Sequence, residues 1–169
     1  NGQKEKEGTE KDGKLDGLWT HWHENGQKKA EGTYKDGKKD GLVTTWHVNG
    51  QKKEEVTCKD GKPDGPFTRW HENGQKRSEV SYKDGNMDGP YLSWYASGQK
   101  AEEGTYKDGK LHAIAAGWHK TGQKMAEVTW KDGKRISAKY WNSKGEEAAA
   151  VEPLGDSAID KALKEAVDF

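Results

Sequence analysis

Four histidines each follow a tryptophan: His23 after Trp22, His47 after Trp46, His71 after Trp70 and His119 after Trp118. A series of imidazoles suggests zinc, whose His ligands each sit about 2.0–2.1 Å from the ion. If these residues occupy equivalent places in successive hairpins they are two strands, or about 9.6 Å, apart, too far to share one ion. His21 and His23 could share a face and form the one pair able to hold a metal weakly. The expected role of the series is therefore hydrogen bonding beside turns. A second series, Asp12, Asp36, Asp60, Asp84, Asp108 and Asp132, resembles the carboxylates of acid–base catalysis. Each precedes a glycine and follows a lysine, a loop-tip setting without the burial or like charge that raises a carboxyl pKa. Ser93 and Ser137 have no fixed His and Asp partners. Cys58 is the single cysteine, which excludes an internal disulfide. It stands where other repeats carry Tyr or Trp and reads as a small core filler, with a disulfide-linked dimer as the alternative. No catalytic residue, metal or cofactor is expected, and the chain is not expected to be an enzyme.

The elements that hold these residues are repeats. Asn25-Gly26-Gln27-Lys28 recurs at Asn49 and Asn73, and in altered form at Ser97 and Thr121. Lys-Asp-Gly recurs from Lys11 to Lys131, and a Trp recurs at Trp22, Trp46, Trp70, Trp94 and Trp118 before slipping one place to Trp141. Asn-Gly and Asp-Gly are preferred in two-residue type I′ turns, where both central residues need positive φ. Each unit should then be a hairpin with a short strand such as 27–35 and a longer one such as 38–48. The surplus coincides with a second Asp-Gly pair, at Asp16, Asp40, Asp64 and Asp88, which predicts a bulge there. Alternation puts Ala30, Gly32 and Tyr34 on one face of the short strand. In the long strand, Trp19, Val43, Phe67 or Tyr91 is followed three residues later by the Trp. That spacing breaks strict alternation and requires either another bulge or aromatics on both faces. The aromatics Trp22, Trp46, Trp70, Trp94, Trp118, Tyr34, Tyr82 and Tyr106 are the candidate ladder, expected to form the core and to offer any binding surface. On that basis Trp70→Ala is expected to cost about 3–5 kcal/mol and His71→Ala little.

Composition constrains function by class. Only 30% of residues are apolar, so the core must be thin, yet eight Trp and six Tyr in a strict period argue for order. Twenty-nine basic residues balance 29 acidic ones, giving no overall field to attract nucleic acid. The first strand carries Glu10 where later strands have an aromatic, consistent with a charged sheet edge. Beyond Pro153-Leu154-Gly155, the residues Ile159, Leu163, Ala166 and Val167 have helical spacing and predict a short amphipathic capping helix over about 157–167. The expected architecture is thus all-β, an elongated antiparallel hairpin array over 1–145, followed by a linker and helix over 146–169.

The unit Glu31-Gly32-Thr33-Tyr34-Lys35-Asp36-Gly37-Lys38, followed by Asp40-Gly41-Leu42, Trp46 and Asn49-Gly50, resembles the MORN-repeat variant as found in bacterial proteins of the YwqK family. The resemblance covers about residues 1–145. In the fifth unit, Leu111-His112-Ala113-Ile114-Ala115-Ala116-Gly117 departs from it, which puts the bulge there in question. The resemblance implies a single-sheet MORN-like fold and a role as the antitoxin component of a toxin–antitoxin system, or as a protein- or membrane-associating scaffold. Function is accordingly expected to be a non-catalytic repeat scaffold for protein–protein interaction, without nucleic acid. The alternatives are a glycan- or lipid-headgroup-binding module using the aromatic ladder, and a structural spacer. The chain opens inside a repeat without an initiator Met, so an upstream segment is expected, and nothing in it fixes localisation.

Overall fold

The computed structural model describes residues 4–148. Short strands β1 (Lys6–Glu7), β2 (Glu10–Lys11) and β3 (Lys14–Leu15) precede β4 (Gly17–Trp22). Full-length strands follow as β5 (Lys28–Lys35), β6 (Lys38–Trp46), β7 (Lys52–Lys59), β8 (Lys62–Trp70), β9 (Lys76–Lys83) and β10 (Asn86–Trp94). The series ends with β11 (Lys100–Lys107), β12 (Lys110–Trp118), β13 (Lys124–Lys131), β14 (Lys134–Trp141) and β15 (Glu147–Ala148). Thirteen of these form one antiparallel sheet in the order β1-β4-β5 and then sequentially to β15, while β2 and β3 pair separately. At about 4.8 Å per strand the sheet is roughly 60 Å long. The fold is all-β among the described residues, as the repeat predicts. The expected capping helix at 157–167 lies outside them.

The Asp-Gly turns are the two-residue type expected: Asp36 and Gly37 have φ of 50° and 82°, and Lys35 pairs with Lys38 across the turn. The Asn-Gly turns are not. Gly26 alone has positive φ (81°), its N–H donates to the His23 carbonyl, and the His23 N–H donates to the Gln27 carbonyl. This is a type I turn closed by a left-handed glycine, a three-residue loop instead of a two-residue one. It frees Asn25 from the turn's φ requirement, so its amide bridges instead: Oδ1 accepts from the Gln27 N–H and Nδ2 donates to the Val48 carbonyl of the next repeat at 2.9 Å. Both long edges of the sheet are stapled this way. Opposite the Asn-Gly loops, Gly37, Gly61, Gly85 and Gly109 donate N–H to carbonyls of the preceding repeat. The His series completes the staples: the His23, His47, His71 and His119 rings hydrogen-bond the carbonyls of Trp46, Trp70, Trp94 and Trp141 at 2.8–3.1 Å, and Tyr95 does the same to Trp118.

The three-residue aromatic spacing resolves as aromatics on both faces. Pairing runs without a slip from Val43–Val56 to Thr45–Glu54, and the shift at Trp46–Lys52 falls on the short strand. Val43 therefore faces one side, called face A, and Trp46 the other, face B. Along face A the central row passes through Trp19, Gly32, Val43, Val56, Phe67, Val80, Tyr91 and Gly104 to Val128. Large and small side chains offset one another: Gly32 pairs with Trp19, and a Cβ at Gly8 would collide with the Trp19 ring. Val43, Val56, Phe67, Val80, Tyr91 and Val128 of this row make up the buried core with Cys58, Tyr82, Met87, Tyr106 and Ala126. Cys58 is thus the core filler expected, its thiol pushed up by burial. The second Asp-Gly pair is the predicted bulge, since Gly32–Val43 and Tyr34–Lys39 pairing leaves three long-strand residues facing one. The fifth unit keeps this bulge despite its divergent sequence, with Ala113 at φ 64° in place of glycine.

Candidate binding face

Face B is a repeated structure. Its inner row is Thr20, Glu31, Thr44, Glu55, Thr68 and Glu79, continuing through Glu103 to Glu127. In four units a lysine joins this glutamate to the tryptophan of the next unit. Lys28 pairs with Glu31 at 2.5 Å and lies 5.6 Å from the Trp46 ring centroid; Lys52 pairs with Glu55 and covers Trp70 at 5.4 Å. The Lys28 ammonium and the Thr20 hydroxyl hold the Glu31 carboxyl below its ordinary range, against the opposing effect of desolvation. The same contact recurs as Lys100 over Trp118 and Lys124 over Trp141.

The eight aromatic candidates consequently do not share one surface. Trp22, Trp46, Trp70, Trp94 and Trp118 are half-buried on face B. Tyr34, Tyr82 and Tyr106 are on face A, the last two buried in the core. Tyr82 stacks edge-on to Phe67 and Tyr106 to Tyr91, and desolvation pushes the Tyr106 hydroxyl up to about 12. The Trp series is outside the core cluster, so the core and the Trp ladder are distinct features.

Beside the central row of face A, towards the Asn-Gly loops, runs a row that does not repeat. It passes from His21 through Ala30, Thr45, Glu54, Arg69, Ser78, Ser93, Glu102 and Gly117 to Ala126. Equivalent long-strand positions are His21, Thr45, Arg69, Ser93 and Gly117, no two alike. Its centre is polar and sequestered: Arg69, Ser78, Ser93 and Glu102 are each 7–8% exposed. Arg69 Nε lies 3.2 Å from Glu54 Oε1, and its guanidinium is 4.7 Å from the Phe67 ring centroid. Glu102 accepts long hydrogen bonds, 3.4 Å, from the Tyr91 and Ser93 hydroxyls. Burial raises the Glu102 carboxyl above its ordinary range, and these two bonds only partly offset it. Among the described residues no second layer covers this face.

An open cavity of ≈ 670 Å³ lies over the polar centre of that row, lined by Arg69, Arg77, Tyr91, Ser93, Glu102 and Lys120 among others. Reading the sequence for shared motifs passes over these residues. The signal that finds them is the opposite one, the positions at which period-24 neighbours disagree.

Residues 15–36, 63–84 and 87–108 match the family described as MORN repeat variant. Each matched segment spans one long strand, its Asn-Gly or equivalent loop and the short strand that follows. These three segments match as MORN-variant repeats, and an array of such hairpins is consistent with a repeat-based binding or structural module. Nothing among curated proteins matches the chain. The match is to the repeat and does not extend to the YwqK family or its antitoxin role.

Proposed function

We propose that the chain is a non-catalytic scaffold whose face A binds another protein. The observation that carries this is the non-repeating row. Turn glycines, edge histidines and the Lys–Glu–Trp contacts recur because every unit needs them to stack on the next. An Arg–Glu pair with its guanidinium buried and a buried carboxyl cost free energy relative to apolar side chains of the same size, and among the described residues they occur only in that row. A spacer has no use for such residues. A glycan platform on face B would need tryptophan rings open to stacking, whereas lysine ammoniums sit 5.0–5.8 Å from most of them. The toxin-neutralising role implied by the YwqK resemblance is one form of this function and rests on that resemblance alone.

The test places a photoreactive amino acid at Lys53 or Ala101 on face A, or at Leu18 or Leu42 on face B, and irradiates each protein in extract of its native cells. Adducts of one defined mass from the face A positions alone are the expected result. Adducts from face B alone, or none from either, would overturn the proposal.

A further inference from the structure

The composition is neutral, but the cavity over the polar row is not. Three cations, Arg69, Arg77 and Lys120, border it against a single carboxyl, Glu102. Arg69 already lies against Glu54. Arg77 and Lys120 are exposed, on opposite sides of the opening, from the start of β9 and the loop after β12. Lys120 Nζ is 5.8 Å from the Tyr95 ring centroid, which props the ammonium beside the cavity.

The equivalent grooves in earlier repeats are balanced. One holds Lys4 and Lys29 with Glu5 and Glu24, and the next holds Lys53 with Glu72. The loop position reads Glu24, Val48, Glu72, Ala96 and Lys120 along the chain. The first groove is thus bordered by Glu24 and Val48, the next by Val48 and Glu72, and this cavity by Ala96 and Lys120, with the one acidic residue gone and a basic one present. The inward position that holds Lys29, Lys53 and Arg77 becomes Ala101 and Met125, and Met125 packs on the core. Of these three grooves beside the Asn-Gly loops, this cavity thus carries the excess positive charge, flanked by the hydroxyls of Tyr91 and Ser93.

We infer that this cavity receives the carboxylate of an acidic segment of the protein partner, held between Arg77 and Lys120 with the Tyr91 and Ser93 hydroxyls beneath. The inference rests on the scaffold reading above and names its partner's chemistry. Opposite charges confined to a partly desolvated concavity act more strongly than the same charges in bulk water, and basic groups arranged around one opening give selectivity by sign. Glu102 is the one group in the cavity that opposes a carboxylate when ionised, so its removal gives a prediction of opposite sign.

The experiment measures fluorescence anisotropy of a fluorescein-labelled oligoglutamate peptide with the whole chain, using oligolysine and oligodeoxythymidine as comparators. Arg77→Ala and Lys120→Ala should each weaken oligoglutamate binding about fivefold, the upper range for one exposed charge pair. Glu102→Gln should tighten it, and Lys53→Ala, in a balanced groove, should leave it unchanged. Unchanged melting temperatures for the Arg77 and Lys120 variants confirm that the fold is intact. Preferential binding of oligolysine that is lost in Glu102→Gln would reverse the assignment and overturn it. So would equal losses from Lys53→Ala and Arg77→Ala, or tighter binding of oligodeoxythymidine than of oligoglutamate. If oligoglutamate fails to bind while face A still crosslinks a protein, the carboxylate assignment falls and the scaffold stands. If it binds through Arg77 and Lys120 while face A crosslinks nothing, the cavity stands and the scaffold falls.

Discussion

Ala113 provides a measurement of how far the repeat dictates backbone geometry. Gly17, Gly41, Gly65 and Gly89 occupy the bulge in the other units with φ of 95–122°, whereas the fifth unit carries Ala113 at φ 64°. Pairing of Glu103 with Ala116 and of Thr105 with His112 shows that the bulge has kept its size. Neighbouring units therefore impose the bend, and alanine follows by entering the left-handed region, at about 1–2 kcal/mol for an L-residue. Ala113 is exposed, so its methyl contributes little burial in return. Replacing it with glycine removes that strain and adds about 0.5–1 kcal/mol of chain entropy to the unfolded state. The net expectation for Ala113→Gly is a gain of about 0.5–1 kcal/mol. That corresponds to a midpoint about 1–4 °C higher in a thermal melt followed by circular dichroism. Gly65→Ala is the reciprocal test. At φ 122° it lies beyond the left-handed region that alanine can use, and its new Cβ would sit 3.3 Å from the Thr57 Cβ. A loss of about 1–3 kcal/mol is expected. A lower midpoint for Ala113→Gly, or an unchanged one for Gly65→Ala, would show that the bulge does not need positive φ and would refute the argument.

Four further outcomes follow from the same geometry. His71→Ala removes a 2.8 Å bond from the ring to the Trp94 carbonyl and should cost about 1 kcal/mol, more than its sequence suggests. Trp70→Ala, at a half-buried ring, should cost about 1.5–2.5 kcal/mol, half the value for a buried one; paired melts with and without zinc check both, and no zinc dependence is expected. Because burial raises the folded-state pKa of Glu102 above the ordinary carboxyl value of 4.5, the native state binds the proton more tightly than the unfolded one. Stability from this group is then full below about 4.5 and lost as pH rises through the raised value, so Glu102→Gln should melt higher than the parent at pH 7, with the gap closing towards pH 4.5; an equal gap at both would contradict it. Cys58, buried and with its thiol pushed up, should react with a thiol reagent only as fast as the chain unfolds; immediate reaction in native buffer would show that it is accessible.

Much of the fold was readable because it depends on local chemistry. Asp36-Gly37 needs only two residues that accept positive φ, and the bulge at Asp40-Gly41 follows from unequal strand lengths. The Asn-Gly turn was misjudged because the same dipeptide serves two turn types, and the choice is made by neighbours outside it. Here His23 ties the loop to Trp46 and Asn25 ties it to Val48. The placement of Trp46 was undecided for a related reason: whether a three-residue spacing crosses the sheet depends on which strand takes the bulge, and only pairing with Lys52 reveals that.

The candidate site was hidden by the features that made the fold legible. A total charge of zero describes the chain as a whole and does not describe how charges are placed locally. On face B each Glu is matched to a Lys three residues earlier, as in Lys52–Glu55 and Lys124–Glu127, so those charges cancel locally and leave little field. With such pairs and the Arg69–Glu54 pair set aside, Arg77 and Lys120 border a cavity whose lining holds one carboxyl, Glu102. In a repeat array the residues required for stacking must recur, which makes them conspicuous and also makes them uninformative about a particular partner. Recognition of one ligand needs a place unlike its neighbours, because a surface repeated identically in every unit offers equivalent positions and no register. The polar row supplies that difference where Arg69, Ser78, Ser93 and Glu102 replace one another along adjacent strands. Registry on an otherwise periodic sheet is therefore set by the residues that break the period.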